Sequence, residues 1–314
     1  MGANHLRVLT QMKSVKVIGC YDPIVGNDRG IPFTHFSSMQ ELLNSKPDYV
    51  VIATPTSSHL EIVKECVDSK ISFLLEKPIS DSLISTTEIV AICEQAGIKS
   101  AVGHVERFNP SIIELKKRLQ SGEIGEVYSV VTNRQSPYPE RISDVGVSLD
   151  LATHDIDLTR WILEDEYQFV FSLLSFNFSE TYEDQAIISA KTKRNINVSH
   201  HINWLSPVKV RSVEILGSNG KYYADLLNSD LSYFEFGGKK LSHDVIAHFN
   251  GPNIGEVRKF SFDKQEPLLT EHQEFHKHLM NQEGNIATLR SGMQNIEIAE
   301  AIIKSGKENR IVFI

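Results

Sequence analysis

The sequence predicts two folded parts: a parallel α/β sheet domain over residues 1–105, then an α+β domain over 106–314 built on a large, mostly antiparallel sheet. Three observations carry this. The 314 residues are 41% hydrophobic and 23% charged, apolar material for about two cores at roughly 150 residues each. The first third alternates short apolar runs with amphipathic stretches, the pattern of right-handed strand–helix–strand crossovers. Beyond residue 105, period-two runs and turn residues take over.

In order along the first part, residues Val15–Cys20, Tyr49–Ala53, Ile71–Leu75 and Lys99–Val102 read as buried strands. Ser58-His59-Leu60-Glu61 has the pattern of a capping box, and Leu60, Val63 and Val67 follow at helical spacing. Ser82–Ala96 reads as a second helix closed by Gly97, the residue best suited to a left-handed cap. In the second part the pattern gives a helix from Pro110 to Leu119, a strand from Val127, a helix from about Leu149 to Ile162, and strand-like runs from Phe169 to Phe236. Val208–Val213 alternates with period two, and Gly217-Ser218-Asn219-Gly220 supplies a turn. Helices at Glu271–Met280 and Gly292–Lys304 close the chain.

Lysine and arginine number 32 against 40 aspartates and glutamates, a formal charge of −8, which disfavours nucleic acid or an anionic membrane as partner. The three cysteines, Cys20, Cys66 and Cys93, show no C-x-x-C spacing, so neither a disulfide framework nor a thiolate metal site is suggested. Met1–Arg7 lacks the apolar block of a secretion signal, and no run approaches the ~18 apolar residues of a membrane span. The expectation is a cytoplasmic protein.

Open parallel sheets bind ligands beyond the carboxyl ends of their strands. Asp22 follows the first run, where a carboxylate can accept both ribose hydroxyls of an adenosine and would repel a 2′-phosphate, favouring NAD over NADP; Asp22-Pro23 also reads as a plain turn. Thr54-Pro55-Thr56 follows the second run and Glu76-Lys77-Pro78 the third, where Pro78 would present Lys77 reproducibly; a surface Glu-Lys pair is the alternative. Asp150, His154 and Asp157 are spaced by four and three, near one helical face. A carboxylate beside an imidazole fixes its tautomer and suits a general base near neutral pH. A solvated helix pair is the competing reading; a divalent metal is discounted because no further His or Cys cluster accompanies it, and His200-His201 point to opposite faces of a strand. Arg134, Tyr138 and Arg141, with Trp204, Lys209 and Arg211, concentrate cations and aromatics in an acidic protein, which suits a phosphate and a stacked base; solvated strand faces are the alternative.

Together these residues resemble the Gfo/Idh/MocA-type NAD-dependent sugar oxidoreductases, the family of glucose-fructose oxidoreductase and inositol dehydrogenase. The resemblance runs over almost the whole chain, through Gly2, Asn4-His5, Asp22, Ala53-Thr54-Pro55-Thr56 with His59, Glu76-Lys77-Pro78, Val102-Gly103-His104 and the Asp150–His154 pair. It implies a Rossmann-like domain and an open-faced sheet that supports homo-oligomers. It also implies NAD held by Gly2, Asn4, His5, Asp22, Thr54, Pro55, Thr56, His59, Glu76, Lys77 and His104, with Lys77 and His154 flanking the substrate and Asp150 beside the histidine. Arg107 and Asn109 in Val105–Pro110, the Arg134–Arg141 stretch and the Asn203–Arg211 stretch are similar to UDP-N-acetylglucosamine 3-dehydrogenases, which gives the cationic stretches a nucleotide diphosphate to bind.

One departure stands out. The chain opens Met1-Gly2-Ala3-Asn4-His5, which resembles only the last positions of G-x-G-x-x-G, so the strand and glycines expected before it are missing. In the usual strand order the missing strand is central, and its loss would leave a gap between the runs at Val15 and Tyr49. The expectation is that Met1 is an internal methionine of that motif and the chain is truncated; a degenerate, non-catalytic sensor of dinucleotide or nucleotide sugar is the rival. The reaction implied is oxidation of C3 of UDP-N-acetylglucosamine by NAD, with His154 as base and Lys77 polarising the hydroxyl, or the reverse. The alternatives are UDP-N-acetylglucosaminuronate or a polyol such as inositol.

Overall fold

Strand β4 (Ser72–Glu76) shows why the first part folds as a two-sided sheet. Phe73 and Leu75 point one way, into a core with Val63, Cys66, Ile89, Val90 and Cys93, while Leu74 points the other way, towards Ala101 and Phe275. A strand covered on both faces reads as a continuous apolar run. The structure, a computed structural model, describes residues 1–24, 33–139, 145–237 and 254–314. The parallel pairs run β3 (Tyr49–Ile52), β4, β5 (Ser100–Gly103), and β1 (Gly19–Cys20) pairs separately with β2 (Thr34–His35). Among the described residues no strand joins β1 to β3, and the expected strand from Val15 shrinks to Gly19–Cys20.

Helix α1 (Gly2–Gln11) opens this unit, and α2 (Met39–Asn44), α3 (His59–Asp68) and α4 (Leu83–Ala96) follow. Ser82 caps α4 through Ser85 N at 3.3 Å, and Gly97 ends it in the left-handed conformation, φ +64°, as its composition requires. Ser58 does not cap α3. A 3-10 turn over Thr56–Ser58 leads straight into the helix, and the Ser58 hydroxyl goes instead to Thr54 Oγ1 at 2.9 Å and Pro55 O at 2.8 Å.

The chain divides into two units, Met1–Val105 with Glu266–Ile296, and Glu106–Gln265 with Glu297–Ile314. Residues 266–296, expected in the second domain, therefore belong to the first unit. The cause is packing: Phe275 of α8 (Pro267–Leu279) meets Tyr49 edge to face at 5.4 Å, and Leu289 joins the core beneath β4.

The second unit holds a nine-stranded sheet in the order β13-β12-β11-β10-β6-β9-β8-β7-β14. Its strands are β6 (Val127–Gln135), β7 (Tyr167–Ser175), β8 (Gln185–Thr192), β9 (Asn197–Asn203), β10 (Val210–Gly217), β11 (Gly220–Asp225), β12 (Asp230–Phe236), β13 (Ile254–Lys259) and β14 (Val312–Phe313). Every pairing is antiparallel except β6 with β9. Alternation does the sorting: Val130, Thr132 and Arg134 of β6 face α5 (Pro110–Gln120) and α7 (Ala152–Leu163), while Val131 and Asn133 face outward. The helix expected over 149–162 is two pieces, α6 (Val147–Asp150) and α7, broken at Leu151. The last helix, α9, runs Leu289–Glu308.

Candidate active site

In the first unit the carboxyl ends of the parallel strands carry the polar residues. Thr54 follows β3, Glu76 ends β4 with Lys77 after it, and His104 follows β5. Asp22 lies exposed after β1, its Oδ1 accepting from Ile24 N at 2.9 Å. Gly2 lies against the end of β3, where a Cβ would come 3.9 Å from the Ala53 Cβ, and α1 starts without a side-chain cap. An uncapped helix start beside the strand ends suits a phosphate, and the Asp22 carboxylate suits a ribose diol. The residues present thus fit a dinucleotide, and Thr54, Pro55, Thr56 and Lys77, which follow the strand ends, are partly or fully exposed.

Other members of the expected cofactor set are inside the unit. His59, 1% exposed, bridges two loops: Nε2 lies 3.1 Å from Thr54 O, and Nδ1 lies 3.1 Å from Pro78 O and 3.0 Å from Ile79 O. Burial lowers its pKa, while these carbonyls pull it back up. His104 Nε2 meets Asn295 Nδ2 at 3.2 Å. Glu76 Oε1 lies 2.7 Å from His5 Nε2, and His5 Nδ1 lies 2.9 Å from Nε2 of His272 on α8. The other Glu76 oxygen accepts the Lys77 amide at 3.2 Å, so this buried chain of groups anchors the backbone that presents Lys77. Asn4 sits exposed on the first turn of α1.

Sequence reasoning missed His272 and its neighbour Glu271. Burial pushes His272 down to about 3 and, with the Glu76 charge, Glu271 well above its usual value. The signal was present: Leu268, Glu271, His272 and Phe275 are the buried positions of α8, an i, i+3, i+4, i+7 stripe that carries an acid and an imidazole on its apolar face.

In the second unit α7 is buried almost all round. Of its 12 residues only His154 and Trp161 keep partial exposure, two turns apart on one stripe. Asp150, at the end of α6, is also partly exposed, and its charge acts on Arg211. Asp157, which spacing puts beside His154, turns inward and is gripped by Arg107, Nε to Oδ2 at 2.7 Å and a second nitrogen to Oδ1 at 2.6 Å. Arg134 does the same for Asp155, at 3.1 Å through two nitrogens, and gives its third to Glu106 at 2.9 Å. Burial works against the Arg134 charge, but Asp155 and Glu106 more than offset it and its pKa rises.

Both guanidinium forks are therefore engaged by carboxylates of their own unit, with Arg134 2% exposed and Arg107 5%. That corrects the expectation that they grip a phosphate: they build the floor on which α7 rests. Asn109 is a helix cap, its Oδ1 accepting from Ser111 N at 3.1 Å and its Nδ2 donating to Leu226 O at 2.9 Å. Trp204 is buried in the core, edge-on to Tyr138 at 5.7 Å. Lys209 is exposed, and Arg211, 41% exposed, touches Glu106 at 3.3 Å. Arg141 lies outside the described residues. Missed here were Glu106 and Asp155, whose partners lie far away in sequence.

Among the described residues no helix is long and apolar enough to cross a membrane, and no group of three or more His, Cys, Asp or Glu could hold a metal.

Two family models match the chain: the oxidoreductase family's NAD-binding Rossmann fold over residues 1–104, and its C-terminal alpha/beta domain over 116–314. Among curated proteins, the uncharacterized oxidoreductase YrbE of Bacillus subtilis is 28% identical over 200 residues, 60% of this chain and 59% of that protein, so the match spans little more than half of the relative's length. The scyllo-inositol 2-dehydrogenase (NAD(+)) of the same organism is 24% identical across 97% of this chain and 91% of its own length. Among solved structures, UDP-N-acetylglucosamine 3-dehydrogenase GnnA from Acidithiobacillus ferrooxidans shares the fold with a TM-score of 0.83 at 19% identity, covering 98% of this chain and 94% of that one.

Proposed function

The chain belongs to the Gfo/Idh/MocA oxidoreductase family, and on that premise we propose that it oxidises a sugar hydroxyl to a ketone with NAD, at C3 of UDP-N-acetylglucosamine. The observation that carries the reading is the open stripe of α7: in a helix otherwise buried, only His154 and Trp161 keep partial exposure, and Asp150, four residues before the imidazole, is partly exposed as well. His154 takes the hydroxyl proton and Asp150 orients it, while the Lys77 ammonium polarises the hydroxyl oxygen and lowers its proton affinity. When bound, NAD supplies the hydride acceptor. Asp22 would hold the adenosine ribose, the start of α1 at Gly2 the phosphates, and Thr54, Thr56 and Lys77 the remainder.

The nucleotide is supported by Lys209, exposed, and Arg211, partly exposed, among the described residues of the cationic stretches, and by the likeness to GnnA. A free polyol is the second reading, favoured by the nearly full-length match to scyllo-inositol 2-dehydrogenase. The outward face of the nine-stranded sheet carries exposed Leu173, Ile187 and Tyr223, which supports contact between copies through that sheet.

The test is growth of the NADH absorbance band on incubation with UDP-N-acetylglucosamine, UDP-N-acetylglucosaminuronate and inositols. Turnover of the first is expected. Lys77→Met and His154→Asn should each lower kcat by on the order of 10²- to 10⁴-fold with unchanged melting temperature. Near-normal rates in both variants would remove these roles, and no turnover of any substrate despite NAD binding would favour the sensor.

A further inference from the structure

Three loops of the second unit leave the sheet at one end. Gln135 of β6 pairs with Val210 of β10 and Asn203 of β9, and Asn203 pairs with Gln185 of β8, so these four residues form one row across the sheet. Just past that row lie Tyr138, after β6, and Trp204, after β9; the β7–β8 connection brings Phe178 to the same place. The Tyr138 ring lies 5.0 Å from Phe178 and 5.7 Å from Trp204. Trp204 is the buried base of the stack, and Phe178, 65% exposed, is its open top.

The exposure of Phe178 is held in place. Asp184, fully buried, accepts from the amides of Asn177 and Phe178, each at 2.6 Å, and from Asn177 Nδ2 at 2.9 Å, while its own carbonyl takes the Trp204 amide at 2.9 Å. Burying a carboxylate is costly unless donors surround it. Here the donors are the backbone that presents an aromatic ring to solvent, so the ring is preorganised rather than left on a loose loop.

Cations lie across the sheet from it, at the start of β10: Arg211, and Lys209 two residues before it. Arg211 is directly opposite Arg134, so it shares the helix-covered side of the sheet on which Tyr138 and Trp204 pack, and Asp150 acts on its charge. From β8 to β10 is three strand spacings, about 14 Å. An aromatic face at one side of that span and cations at the other match a flat base joined to an anionic diphosphate.

We infer that Phe178, backed by Tyr138, is the platform on which the nucleobase of a nucleoside-diphosphate sugar stacks, with Arg211 and Lys209 facing its diphosphate. The inference rests on the nucleotide-sugar reading of the site and adds the residue that tells such a substrate from a free polyol. Phe178 could not be read from the sequence, because its neighbours Tyr138 and Trp204 are tens of residues away.

The experiment titrates UDP into the full chain calorimetrically and measures kcat and KM with UDP-N-acetylglucosamine for wild type, Phe178→Ala and Phe178→Tyr. Removal of the ring should weaken UDP binding about tenfold or more, the scale of ring–base stacking. KM should rise with kcat little changed, and Phe178→Tyr should restore both. An exposed ring can be removed without unfolding the protein, which equal melting temperatures will verify. If wild type oxidises UDP-N-acetylglucosamine and Phe178→Ala binds UDP equally well, the platform is refuted while the nucleotide-sugar reading stands. If wild type neither binds UDP nor turns over a UDP-sugar, both fall together.

Discussion

Glu271 is a carboxyl group with neither oxygen hydrogen-bonded, at 2% exposure, facing the charge of Glu76. Its pKa in the folded protein lies well above its ordinary 4.5, so folded Glu271 keeps its proton where the unfolded chain has lost it. Above pH 4.5 folding therefore takes up a proton, and stability falls as pH rises until the folded pKa is passed. Glu271→Gln removes this slope. The variant should match wild type near pH 4.5, apart from a constant offset, and gain on it by up to about 1.4 kcal/mol per pH unit above that. Melting curves from pH 4.5 to 8 decide it: parallel curves would mean that Glu271 is ionised and compensated. At this scale the sequence was only partly readable. Lys77 and His154 stood out because strand ends and helix spacing mark them. The partners of Arg107 and Arg134 did not, since a cation beside an aromatic in sequence looks the same whether its fork meets a phosphate or an aspartate across the fold.

Elements were easier to read than partners, for a physical reason. Burial on both faces of β4, or on one face of β6, is written directly into hydropathy with period one or two. Breaks are harder: nothing apolar changes at Leu151, yet α6 and α7 part there, and Ser58 loses its capping role because a 3-10 turn precedes α3. Asn109 shows a cap mistaken for a ligand group. It holds the first turn of α5 through Ser111 and ties that turn to Leu226, the residue after β11. Asn109→Ala should cost about 1–2 kcal/mol, from the lost cap together with an unpaired buried carbonyl. A lower melting temperature with unchanged KM for the proposed UDP-sugar is expected. A raised KM at unchanged stability would return Asn109 to the substrate.

Across the whole molecule the buried imidazoles set the acid limit. His200, fully buried in the second unit, lies 2.7 Å from both Thr132 Oγ1 and Tyr167 OH, hydroxyls that satisfy a neutral ring in either tautomer. Burial first, then His201 and Arg134, push its pKa from 6.5 down to about 3. His272, in the first unit, is lowered to about 3 by burial and by His5. Above pH 6.5 neither contributes, because both states are neutral. Below 6.5 the unfolded chain takes up protons that the folded chain refuses, so each histidine removes about 1.4 kcal/mol per pH unit until pH falls to about 3. Glu271 works in the opposite sense over part of this window, so differences between variants, not the wild-type curve, carry the test. His200→Gln and His272→Gln should each flatten the loss of stability between pH 6.5 and 4 by about one proton's worth, and the double variant by about two, since the sites lie in different units and share no partner. Urea unfolding midpoints measured at half-unit pH intervals give the slopes. A His200→Gln slope equal to wild type would mean that the buried imidazole already carries a proton in the folded state, and that Thr132 and Tyr167 both accept from it.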